Sequence, residues 1–246
     1  MKPLPLFVGF VLILAAAGTL QAQHVDVRPY VAGGKLVTGS AQLNGPVVTP
    51  LSDETRVFGV EFGEDDPAQP FFTEDPGFLS EHGTFPGGGG KYVGFDVSAG
   101  LRHWTGSGFG AVPAGESLQI TKGSQSVNVA GAGIGGYWFG IIGVNENIHE
   151  HLTFELLGAD GNPIPGDGVE PTPGIWLLEM TLRTSMPGVA VSDPLWIVFN
   201  SGGEDFESDH EAASAWVESH LVPEPASAIL IAFGAGLISR RRNRRS

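Results

Sequence analysis

No cysteine occurs anywhere in the 246 residues. That single absence excludes disulfide staples, thiolate metal sites, iron–sulfur clusters and thiol nucleophiles, so any folded body must rest on its own core. Basic side chains are almost as scarce in the middle of the chain. Of 13 lysines and arginines, one stands at position 2 and five in the last seven residues, whereas 26 of the 27 acids fall between residues 24 and 221. That stretch keeps seven bases and carries a net charge near −19, against −14 for the whole chain. Such a surface repels phosphate backbones and anionic lipid, which argues against nucleic acid as a partner and in favour of divalent cations or cationic polymers. Long apolar runs are lacking as well. The two greasy stretches, residues 6–17 and 229–238, both fall short of the roughly 20 residues of a secure membrane span.

Those two stretches sit at the ends, and both read as addresses. "MKPLPLFVGFVLILAAAGTLQAQ" combines a lysine, a short apolar run and a small-residue exit, the pattern of a secretory signal peptide over residues 1–23. Cleavage after Ala22 suits the small-residue rule, while cleavage after Gln23 would make His24 the first mature residue. At the other end, "VPEPASAILIAFGAGLISRRRNRRS" places Val222, Pro223, Glu224 and Pro225 before an apolar run and five arginines.

Those residues, in that order, make the tail similar to PEP-CTERM, the sorting segment of exosortase substrates. The resemblance covers residues 222–246. It implies that the arginines stay on the cytoplasmic side while residues 226–239 dwell transiently in the inner membrane. It further implies that an exosortase-type sorting enzyme acts around Pro223, Glu224 and Pro225 and passes the body to the cell envelope or extracellular matrix. Through "HVDV", "HEHL", "SDPLWIVFN" and "HEAASAWV", the middle of the chain also resembles exported β proteins that carry this kind of tail and bring no catalytic residue with them.

Between the ends, short extended runs alternate with glycine and proline. In "GIWLLEMTLRT" Trp176, Leu178, Met180 and Leu182 share one side, and Glu179, Thr181 and Arg183 the other, a period of two that predicts one packed and one wet face. "HVDVRPYVA", "TRVFGVEF", "KYVGFDV", "SLQITK", "QSVNVA", "YWFGIIGV", "HLTFELLG" and "LWIVFN" read the same way, with "FPGGGG" and "GADGNPIPGDG" among the breaks. "SDHEAASAWVESHL" predicts a helix with a Ser208–Glu211 capping box and an apolar stripe of Ala213, Trp216, Val217 and Leu221. The expected fold over residues 24–221 is therefore all-β: a single antiparallel β-sandwich or jelly-roll-like domain with one C-terminal helix packed on it.

Chemistry is harder to place. "GAGIGG" at 131–136 has dinucleotide-loop spacing, but a strand follows it where a phosphate-binding helix would be needed. No G-x-S-x-G elbow occurs, and no nucleophile and base can be paired. Asp160, Asn162 and Asp167, or Glu64, Asp65 and Asp66, offer oxygens for an irregular calcium site, although the EF-hand spacing is absent. Trp104, Tyr137, Trp138 and Phe139 offer a stacking platform for matrix polysaccharide. The histidines are the stronger metal candidates. "NIHEHLTFELL" places His149, His151, Thr153 and Glu155 on one strand face, "HVDV" places His24 beside Asp26, and His210 opens the helix. Together these residue types suit zinc or copper. The expected function is a non-enzymatic envelope or matrix protein, with a zinc- or copper-binding protein or a carbohydrate-binding module as the alternatives. His82 and His103 read as solvated loop residues.

Overall fold

The computed structural model describes residues 25–223, with Asp65 and Asp167 left out. The signal and sorting calls, apart from Val222 and Pro223, lie outside the described residues, and so does His24. Sixteen strands run in chain order. The first six are β1 (Asp26–Ala32), β2 (Lys35–Asn44), β3 (Val47–Ser52), β4 (Val57–Glu61), β5 (Phe72–Thr73) and β6 (Phe78–Leu79). Then come β7 (Tyr92–Val97), β8 (Arg102–Trp104), β9 (Phe109–Ala111), β10 (Ser117–Lys122), β11 (Gln125–Val129) and β12 (Trp138–Ile141). The last are β13 (His149–Glu150), β14 (Thr153–Leu157), β15 (Ile175–Thr184) and β16 (Leu195–Asn200), before helix α1 (Glu207–His220).

The strands form three sheets, ordered β13-β6-β1-β2-β3, β11-β10-β14-β5 and β12-β7-β15-β16-β4, with β8 and β9 joined to the last. One apolar core draws on all three, with Val27, Leu36 and Phe78 from the first, Leu118, Ile120 and Phe154 from the second, and Phe95, Trp176, Leu178 and Phe199 from the third. Ring contacts show how the layers face each other. Phe78 meets Phe139 at 4.7 Å and Phe154 meets Phe199 at 5.2 Å, so the two smaller sheets lie against the inner side of the largest. The all-β, sandwich-like reading holds. Most pairings are antiparallel, but β4 runs parallel to β16, and β6 meets β1 in a single parallel step.

Strand β15 organises the large sheet. Its first residues pair with β8 and its last five with β7, while β16 lies along its other edge. Trp176, Leu178, Met180 and Leu182 all enter the core, as the period of two predicts. The opposite side is wet only in part. Ile175 and Leu177 are buried against Trp104, Trp196 and Val198 beneath Ala213 and Val217 of α1. Each such side chain is worth about 1.5–3 kcal/mol on burial, which is why α1 stays docked despite its many serines and glutamates.

The predicted capping box does not form. A 3₁₀ turn at Gly203–Phe206 runs straight into α1, the N-cap is Phe206, and the Glu207 amide donates to the Glu204 carbonyl. Ser208 therefore falls inside the first turn, where it has no capping position to fill. His103 also departs from expectation. It lies on β8, packs edge-on against Trp176 at 4.6 Å, and has its pKa lowered chiefly by burial. The glycine-rich stretch 131–136 runs along the end of β7, with an Ile134–Val97 bridge, and leads into β12.

Candidate functional site

The "HEH" segment does not form one continuous strand. His149 and Glu150 belong to β13 in the first sheet, and Thr153 begins β14 in the second, so the chain changes sheets at His151 and Leu152. Leu152 is fully buried at that switch and anchors it. The two imidazoles still face each other, with ring centroids 5.5 Å apart. They line an open cleft of about 480 Å³ together with Glu74, Thr121, Lys122, Glu150 and Thr153. Glu155 lies farther along β14, where burial raises its pKa.

Asp26 approaches His151 from another strand. Strand β6 separates β1 from β13, yet just before β6 the backbone passes through Gly77, whose amide donates to Asp26 Oδ1 at 2.9 Å. A Cβ on Gly77 would stand 2.7 Å from His151 Cε1 and 2.8 Å from Asp26 Oδ1. Only glycine lets the imidazole and the carboxylate close on this point from both sides. His151 Nδ1 lies 3.2 Å from the Glu74 carbonyl. A carbonyl only accepts, so Nδ1 carries the proton and Nε2 is the ring's acceptor, the arrangement found in metal-ligating histidines. Lys122 brings a positive charge to the rim, but it pairs with Glu150 at 2.7 Å and donates to the His151 carbonyl at 3.0 Å.

His210 is not part of this group. Its ring lies under α1 on the outer side of the large sheet, with Nε2 2.8 Å from the Val198 carbonyl and Nδ1 2.9 Å from Glu61 Oε1. Burial opposes its protonation, but the hydrogen bonds with Glu61 and the Val198 carbonyl and the charges of Glu61 and Glu207 together raise the ring's pKa. Of the predicted metal set, the structure brings His149 and His151 to one cleft and Asp26 up to Gly77 beside His151, but among the described residues the ligand atoms that gather within 4.8 Å are those of His210, Glu61 and Glu207. Glu61 carried no sequence signal, because its meeting with His210 depends on β4 lying beside β16, whereas Glu207 stands three residues before His210 on α1 and shares its face once the helix begins at 207.

The other candidates divide on burial. Trp104, Tyr137 and Phe139 are buried, and burial pushes the Tyr137 hydroxyl up to about 12, so the four-ring platform is absent. Trp138 remains exposed beside Tyr92, with the Arg183 guanidinium 4.2 Å from its ring centre. The calcium candidates bind their own loops. Asp66 accepts from the Ala68 amide and Gln69 side chain, and Asp160 from the Asn162 amide and side chain. Asp65 and Asp167 are outside the described residues. In comparisons with known proteins, the chain matches no family model, no curated protein and no solved structure.

Proposed function

We propose that the chain is a non-enzymatic envelope or matrix protein, exported through its N-terminal signal, processed by an exosortase-type sorting enzyme, and displayed as an acidic β-sandwich. The observation that supports this reading is the position of the motif's first two residues on the described body. Helix α1 ends at His220, and Val222 and Pro223, the first residues of the sorting motif, leave along an open cleft lined by Glu54, Arg56, Val57 and Glu218. The motif thus begins at the surface of the described body, where Pro223 is exposed. Among the described residues no helix is long and apolar enough to cross a membrane. Fractionation with an antibody to the β domain, in cells with and without the sorting enzyme, tests the proposal. The expected result is a shortened protein outside the inner membrane that becomes full-length and membrane-bound when the enzyme is deleted. Full-length protein in the cytoplasm of both strains overturns it.

A second reading, zinc or copper binding, is favoured by the His149 and His151 rings, whose centroids lie 5.5 Å apart in one cleft. Calorimetry with each metal should show affinity falling by about tenfold or more in a His149→Ala/His151→Ala variant, since even outer-shell changes at metal sites cost that much. Equal binding, or none, in both proteins refutes this site. Matrix polysaccharide remains a proposed partner through Tyr92 and Trp138, and a glycan array on a Trp138→Ala variant would detect it.

A further inference from the structure

We propose a second, separate divalent-cation site, of the zinc class, formed by His210, Glu61 and Glu207 where α1 starts on the outer side of β4 and β16. One ligand atom from each residue lies within 4.8 Å of the others.

The histidine is held for this task. Its side chain is 10% exposed, and its ring sits over Gly59 of β4, where a Cβ would come within 3.2 Å of Cε1 and Nε2. The Val198 carbonyl accepts from Nε2 at 2.8 Å. That bond places the ring proton on Nε2 and turns the Nδ1 lone pair toward Glu61 Oε1, 2.9 Å away. In the metal-free protein a proton on Nδ1 bridges this contact, in keeping with the raised pKa of the ring, and a divalent ion would take that proton's place. With that proton the imidazolium and the two carboxylates together carry a net charge of −1. A divalent ion held by a neutral imidazole and two carboxylates brings the group to zero charge. Five of the seven basic side chains of the body are paired with other carboxylates, Arg28, Lys35, Arg102, Lys122 and Arg183 among them.

The donor set selects the metal class. One buried imidazole nitrogen with carboxylate oxygens suits zinc at about 2.0–2.2 Å per bond, whereas calcium and magnesium prefer oxygen alone. Glu207 is exposed in the first turn of α1 and can swing onto an ion arriving from solvent, leaving a fourth position for water. Filling the site would tie α1 to the edge strand β4. This helix ends where the proposed sorting segment begins, so the ion would hold the departure point of that segment against the body.

The test uses the full chain, stripped with a chelator and carrying His149→Ala/His151→Ala so that the cleft contributes nothing. Zinc titration should show one ion per chain and a higher melting temperature. Glu207→Gln should weaken zinc binding by about tenfold or more, read as the zinc-dependent rise in melting temperature over the variant's own metal-free value. His210→Gln should abolish it, and X-ray absorption should show one imidazole nitrogen among oxygens. No stoichiometric zinc in this background, or binding unchanged by Glu207→Gln and Glu61→Gln, overturns the site. A ring carrying protons on both nitrogens by ¹⁵N NMR, insensitive to zinc, assigns the contact to a plain ion pair and equally overturns it.

Discussion

A Trp176→Ala variant should lose about 3–5 kcal/mol of folding stability, the usual cost of deleting a large aromatic from a packed core. Trp176 heads the largest fully buried side chains and sits where β15 is flanked by β8 and β16. Its indole N–H donates to Ser201 Oγ at 3.1 Å, and that hydroxyl in turn donates to the Gly174 carbonyl at 3.1 Å. Truncation therefore opens a cavity and removes the indole partner of a hydroxyl that also ties the start of β15 to the end of β16. Small domains hold only about 5–15 kcal/mol in total, so the variant should be visibly marginal. Urea denaturation of both proteins measures the difference. Trp176→Phe, which keeps most of the ring packing, should cost less. A loss under about 1 kcal/mol for the alanine variant would contradict the assigned core.

Arg28→Met should be the next most damaging change examined, at about 2–3 kcal/mol near neutral pH. The guanidinium is buried on β1, where Nε donates to Glu81 Oε2 at 2.7 Å, Nη2 donates to Glu81 Oε1, and Nη1 donates to Asp53 Oδ1 at 3.2 Å. It also lies 4.6 Å from the Tyr30 ring centre, and the Tyr30 hydroxyl donates to the Asp53 carbonyl. Methionine preserves much of the stem volume and leaves Glu81 part-buried without its cation.

The same pair sets a pH dependence. Hydrogen bonding from Arg28 holds the Glu81 carboxyl below the ordinary glutamate value. A folded-state pKa below the unfolded one means stabilisation that is present above the unfolded value, about 4.3, and is lost as pH falls through the folded value. Wild-type stability should therefore drop on acidification below about pH 4.3, and Arg28→Met should drop less over the same interval. A Glu81→Gln partner variant completes the cycle. Purely additive losses for the two changes would mean that the pair is not coupled.

Local pattern carried the fold class because a strand writes its two faces into its own residues. β10 spans Ser117–Lys122 and β15 spans Ile175–Thr184, matching the segments read from alternation, and α1 matches its predicted stripe through Ala213 and Val217. β2 was invisible to that reading. Its buried positions include Gly39, Ser40 and Ala41, small residues without the branched or aromatic signature of a strand, and only pairing with β1 and β3 makes them one.

The candidate sites divide in the same way. Residue types and spacing marked His149, His151, Asp26 and His210 as metal-ligand chemistry, because imidazole and carboxylate groups carry that capacity wherever the chain puts them. Charge and the absence of cysteine were likewise complete in the sequence, since neither depends on folding. Which ligands meet was decided by tertiary structure alone. Asp26 reaches His151 only across Gly77, and His210, with Glu207 beside it on α1, finds Glu61 because β4 runs parallel beside β16 under the start of that helix. A period of two or 3.6 specifies which face of an element a residue occupies. The neighbour of that face is set by long-range burial, in which residues more than a hundred positions apart share one core.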